Sequence, residues 1–125
     1  EQERSIARSL FTSDAAPCLS CHATGNAVRD QRATAPSFML MRGRLKPDWT
    51  RRWMIDPAMM SPGTAMPSGL FNLDISGKAT FNGPLPPASA AYKGDQADLI
   101  VRYILQFSQE ELARLPNIMP AGSGQ

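Results

Sequence analysis

Two cysteines and one histidine are all that the chain has of either type, and they stand together as Cys18-Leu19-Ser20-Cys21-His22. Thiols three residues apart can both form thioethers to the vinyl groups of a haem, and the adjacent histidine then falls beneath the iron as an axial ligand. Three other chemistries fit part of the pattern. A redox dithiol wants a βαβ setting, a structural zinc wants four ligands where only three Cys or His exist, and a plain disulfide leaves the histidine unexplained. Covalent haem attachment is the reading that uses all three side chains.

The elements that must position such a site read as helices joined by long loops. Ile6 with Leu10, and Ala7 with Phe11, are spaced as on a half-buried helix over residues 2–11, and a short loop over 12–17 leads to the cysteines. From Gly25 to Lys46 only Phe38-Met39-Leu40-Met41 is strongly apolar, between Pro36 and Gly43, which predicts loop with one short helical turn. Asp48 is the expected N-cap of a two-turn helix over 49–56, ended by Pro57. Residues 61–68 are a proline-bounded loop, and a hairpin is expected across Phe71–Phe81. Asp95 and Asp98 open the clearest helix, with Leu99, Ile100, Tyr103, Ile104 and Phe107 as its apolar stripe. Ser108 and Glu111 read as a capping box for a short last helix that ends before Pro116.

The expected fold is all-α, with three to four helices and long loops in one domain over 1–125. Its core spans about 5–107, and 108–125 hold the short helix and a flexible tail. At 125 residues and 13.6 kDa there is room for one core. Aromatics make up only 7% of residues, beside seven methionines and eleven prolines, so a flat apolar cofactor would supply bulk that the chain lacks. A formal charge of +2 with no block of like charges argues against nucleic-acid binding. No apolar run reaches the ~18 residues of a membrane span, and the opening Glu1-Gln2-Glu3-Arg4 reads as a mature or excised chain whose parent could carry a signal or anchor.

With these residues in view the chain resembles the class I cytochromes c, from about residue 5 to residue 107. Ala7 and Phe11 look like the small-plus-aromatic pair by which that family's first helix crosses its last, with Ile100 and Tyr103 as partners. The segment Ala35-Pro36-Ser37-Phe38, ending at Gly43-Arg44, is similar to the stretch where a proline carbonyl accepts the second ring N–H of the haem histidine and an arginine meets a propionate. Asp56-Pro57 and Pro62-Gly63-Thr64-Ala65-Met66-Pro67 resemble the loop that carries the distal methionine. The resemblance thus implies one haem c, attached through Cys18 and Cys21 and ligated by His22 and Met66. Pro36 and Arg44 would support it, Thr64 would reach a propionate, and Trp53 and Met54 would pack over the ring. Met119, in a polar Gly/Ser-rich tail, is not expected to ligate.

Such a protein is an electron carrier and not an enzyme, cycling Fe(III)/Fe(II) in a respiratory chain between an oxidase, a dehydrogenase or a quinol-oxidising complex. The alternatives are a haem sensor or peroxidase-like domain with a displaceable methionine, and an electron-entry domain excised from a larger respiratory enzyme such as a haem-copper oxidase subunit. The family implies export, periplasmic or otherwise extracytoplasmic, with a partner or anchor in a membrane, and a monomer is expected. Two propionates would bring the loaded protein near neutrality. Arg42, Arg44, Lys46, Arg51 and Arg52 against Asp48 form the one basic patch that could steer an acidic partner.

Overall fold

Helix boundaries here are set by proline and carboxylate signals as much as by apolar periodicity. A computed structural model describes residues 2–13, 15–20, 22, 24, 29–41 and 43–115. Cys21, Arg42 and the tail with Met119 lie outside the described residues. Helix α1, Gln2–Phe11, buries Ala7, Leu10 and Phe11, the stripe that the i,i+4 spacing predicts. Helix α5, Gln96–Leu105, begins where Asp95 accepts from the Asp98 N–H, and it buries Leu99, Ile100, Val101, Tyr103 and Ile104. The two helices pack together. Phe11 and Tyr103 meet with ring centroids 5.1 Å apart, and Phe38 closes against the other side of Phe11 at 5.0 Å.

Three helices open on proline, whose fixed φ and missing N–H suit the first helical position. They are α2 (Pro47–Ile55), α3 (Pro57–Met60) and α4 (Pro87–Ala90). The start of α2 corrects the expected Asp48 cap: Pro47 takes the first helical position, so Lys46 is the capping residue and Asp48 falls in the first turn. At the other end Asp56 closes α2 and caps α3, its carboxylate accepting from the Met59 N–H at 3.3 Å. Helix α4, in a stretch expected to be loop, packs on α1. The segment before α2 holds two 3₁₀ turns, Arg29–Arg32 and Phe38–Leu40, where one turn was expected.

The fold is mostly helical, and it is not purely so. Strands β1 (Phe71–Leu73) and β2 (Ala79–Phe81) pair antiparallel in the register Phe71 to Phe81 and Leu73 to Ala79, the hairpin that the turn signals predict. Asp74 braces its turn by accepting from the N–H groups of Ser76 and Lys78, each at 2.9 Å, and Gly77 takes the positive φ of 87° that the turn needs. With α6 (Gln109–Arg114) there are six α-helices among the described residues, more than the three or four expected, because proline-initiated turns are helical here.

Two charged nodes tie these elements together. Asp95 accepts from Arg51 of α2 at 2.7 Å and from the Ala79 N–H of β2 at 2.9 Å, while it caps α5. Arg51 also reaches Asp98 at 2.9 Å and the Gly77 carbonyl at 3.0 Å. It therefore belongs to an internal ion network and does not stand in the basic patch that the sequence suggested. The second node corrects the capping box. Ser108 does cap α6, accepting from the Glu111 N–H at 3.3 Å, but the Glu111 carboxylate turns inward to Arg8 of α1 and to the Tyr103 hydroxyl, 2.7 Å away.

Burial alone raises the Glu111 pKa, but the hydrogen bonds from Arg8 and Tyr103 outweigh it and hold the carboxyl below its ordinary 4.5. A depressed carboxylate stabilises the fold fully above pH 4.5, and that contribution is lost as pH falls through the folded-state value. Glu111→Gln is expected to lower unfolding free energy by about 2 kcal/mol at neutral pH. In urea titrations across pH, the difference from the parent should shrink on acidification.

Candidate functional site

Cys18 lies in a third 3₁₀ turn, Pro17–Ser20, and the His22 N–H bonds back to the Cys18 carbonyl at 3.0 Å. The chain then pairs His22 with Ala35 as a single parallel bridge. That pairing places the Pro36 carbonyl 2.8 Å from His22 Nδ1. A carbonyl only accepts, so the ring proton sits on Nδ1 and Nε2 keeps its lone pair. Burial pulls the His22 pKa below 6.5 by more than the Pro36 hydrogen bond raises it, so the imidazole is held neutral. The Phe38 ring, fully buried, packs on the imidazole with centroids 4.8 Å apart.

Thr64 and Met66 sit in the loop that follows α3. The Met66 N–H donates to Thr64 Oγ1 at 3.2 Å, and the Met66 sulfur accepts from Trp53 Nε1 at 2.9 Å. Trp53 lies on α2 with Trp49 four residues before it, and the two indoles stack at 5.7 Å with planes 15° apart.

The turn, the loop and α2 enclose one cavity of about 640 Å³. This lies within the ~300–1,000 Å³ of typical ligand sites. Cys18, His22, Pro36, Arg44, Trp53, Met54, Thr64 and Met66 all line it. Every site residue expected from the sequence is thus brought to one space, apart from Cys21, which is outside the described residues. Arg44 is the only permanently charged side chain among the described lining residues, and it is exposed. The rest of the wall is mostly apolar, with Phe81 of β2 and Ile104 of α5 closing it from the hairpin and the long helix.

Sequence reasoning missed several wall residues. Trp49 shares a helix face with Trp53, and this i,i+4 spacing was the signal that could have found it. Leu40 and Trp49 line the cavity yet stay 53% and 42% exposed, so they form its rim. Phe38 and Phe81 reach it through contacts distant in sequence, for which no local pattern exists. A second, smaller cavity of about 340 Å³ lies between α1, α5 and α6 and is lined largely by charged groups, including Arg4, Arg102 and Glu110. Its polar wall suits no flat apolar ligand.

Among the described residues no three His, Cys, Asp or Glu side chains gather as a metal-binding group, and no helix is long and apolar enough to cross a membrane. The nitrogen and sulfur donors on the large cavity, His22 and Met66, instead face a space far larger than a bare ion. Comparison with protein-family models, with curated proteins and with solved structures finds no match to this chain. The site therefore has to be interpreted from its own residues.

Because Phe38 contacts both the His22 ring and the Phe11 core, it transmits packing from the helices to the site. Phe38→Ala is expected to cost about 3–5 kcal/mol in denaturant unfolding, since the vacated space joins an existing cavity and cannot collapse. A loss under about 1 kcal/mol would mean that the wall repacks freely.

Proposed function

We propose that the chain is a single-haem c-type cytochrome of class I that carries electrons. The observation that carries this reading is the meeting of Cys18, His22 and Met66 on one large, mostly apolar cavity, with the Pro36 carbonyl fixing the His22 tautomer. A haem c joined through Cys18 and Cys21 would supply a one-electron Fe(III)/Fe(II) couple.

The chain's own residues then have definite tasks. His22, neutral and with Nε2 unprotonated, offers the nitrogen lone pair that an iron needs, and the Pro36 carbonyl both orients the ring and raises its donor strength. Met66 offers a soft, neutral sulfur, which favours the ferrous form and raises the reduction potential. The apolar wall of Phe38, Met54, Leu70 and Ile104 would keep water from such a ring, and Arg44, exposed on the cavity, is the charge that would meet a propionate. Thr64 keeps its hydroxyl proton to donate, since its oxygen serves the Met66 N–H as acceptor.

If His22 and Met66 both held the iron, no position would be left for a substrate, which makes electron transfer and not catalysis the function on this reading. Covalent attachment of haem belongs outside the bacterial cytoplasm, so the same reading makes the protein periplasmic or otherwise extracytoplasmic, with respiratory redox proteins as partners. The basic charge available to such partners is smaller than the sequence suggested, since Arg51 is engaged by Asp95 and Asp98. Docking is accordingly expected to depend little on salt.

The purified protein should have an intact mass one haem above the polypeptide, no titratable thiol, and colour that acid-acetone does not extract. Extractable haem or two free thiols would end the reading. In the ferric protein Met66→Ala should abolish the weak deep-red methionine–iron band, admit cyanide, and lower the reduction potential. Met119→Ala should leave all three unchanged.

A further inference from the structure

One part of the large cavity's wall is shared by three elements: Trp53 and Met54 stand on α2, Phe81 on β2 and Ile104 on α5. The bonds that keep these elements in register lie outside the cavity. Gln96, the first residue of α5, accepts from the Phe81 N–H at 2.8 Å, and Asp95 before it accepts from the Ala79 N–H at 2.9 Å. Two consecutive side chains thus clamp β2. Helix α2 is held differently. Among the described residues, every side-chain polar bond from α2 to α5 or to the hairpin is made by Arg51, which does not line the cavity. Its guanidinium reaches Asp95 at 2.7 Å, the exposed Asp98 at 2.9 Å and the Gly77 carbonyl at 3.0 Å. Arg51 and Asp95 are both half-buried, so salt screens this pair less than one on the surface.

We infer that Asp95 is a positioning residue for the cavity: through Arg51 it holds the α2 wall closed and so limits the entry of water and small ligands. This rests on the cytochrome reading above. Apolar attraction is non-directional, so it keeps α2 on α5 without fixing where along α5 it sits. Charge-assisted bonds to a helix-capping carboxylate do fix that. Helix α2 also runs through Asp56 into α3 and the Met66 loop, so a displacement of α2 carries the loop with it. Asp95 touches no ligand in this role, and it acts only through Arg51.

The test uses the haem-loaded ferric protein. Asn caps helices as well as Asp does, so Asp95→Asn keeps the start of α5 and removes the charge that Arg51 pairs with. Imidazole should displace Met66 from this variant at about one-tenth of the concentration that the parent requires, the factor that one charge-assisted hydrogen bond represents. The chain's two tryptophans both lie on α2, so quenching of their emission by the haem reads the position of that wall. A longer-lived emission component should appear in Asp95→Asn. Glu111→Gln weakens the other charged node, which joins α1, α5 and α6 without α2, and it should leave both readouts at the parent's values. Parent-like imidazole affinity and emission in Asp95→Asn would overturn the inference. An equal shift in Glu111→Gln would overturn it too, because any loss of stability would then open the cavity. If Asp95→Asn does not load with haem, Arg51→Met, which keeps the aliphatic stem, takes its place. If neither loads, the unmodified protein decides: linkage is reciprocal, so opening must weaken the ion pair if the ion pair opposes opening. Saturating imidazole should then speed exchange of the Arg51 Nε proton, and unchanged exchange overturns the inference. A parent chain without haem overturns this inference and the cytochrome reading together. A haem-bearing parent with a normal deep-red band and an unchanged Asp95→Asn overturns this inference alone.

Discussion

An apolar space of about 640 Å³ inside a chain of 125 residues is a physical demand before it is a binding site. Apolar side chains that line such an open space leave area uncovered, and packing elsewhere in the chain has to offset it. A small domain has little surplus with which to offset that cost. The chain nevertheless arranges its loops around the space and commits Phe38, Phe81, Met54 and Ile104 to its wall. Phe11, Phe38, Tyr103 and Phe107 form one contiguous ring cluster, and Phe38 is the member that also lines the space.

The wall holds its shape through polar contacts at its margins. Asp95 gathers α2, β2 and the start of α5 at one carboxylate, and Glu111 gathers α1, α5 and α6 at another. Both carboxyls are drawn below their ordinary pKa because the donors around them outweigh burial. Neither node lines the large cavity. Among the described residues that line the cavity, Arg44 is the one permanently charged side chain.

What the sequence made legible was what is encoded locally. The i,i+4 stripes of α1 and α5, the cap at Asp95 and the turn at Asp74-Ile75-Ser76-Gly77 all lie within a few residues, and each appears where the pattern puts it. The residues expected to share a candidate site, Cys18 with His22, Pro36, and Thr64 with Met66, come from short motifs too, and they line one cavity. Reasoning failed where a distant partner competed with a local one. Glu111 has the spacing of a capping box, yet a buried tyrosine and an arginine 103 residues away claim its carboxylate. Arg51 sits among basic neighbours in sequence, yet Asp95 draws it inward. Asp48 lost the cap to the fixed φ of Pro47. The roles of Phe38 and Trp49 depend on which surfaces meet in three dimensions, and neither can be read from neighbours in the chain.

The pairing of α1 with α5 has a consequence for how the protein comes to exist. Ala7, Leu10 and Phe11 stand about ninety residues before Ile100 and Tyr103, the surface that covers them, and so are made well ahead of it. Until then the apolar stripe of α1 has no native cover, and an isolated helix of ten residues is marginal in water. Contacts between distant segments must also close a long loop before they yield any stabilisation. The cysteine turn that follows α1 therefore stays accessible, in an open chain, until α5 docks. Any modification of that turn has its natural opportunity then, before the last helix docks and the wall closes.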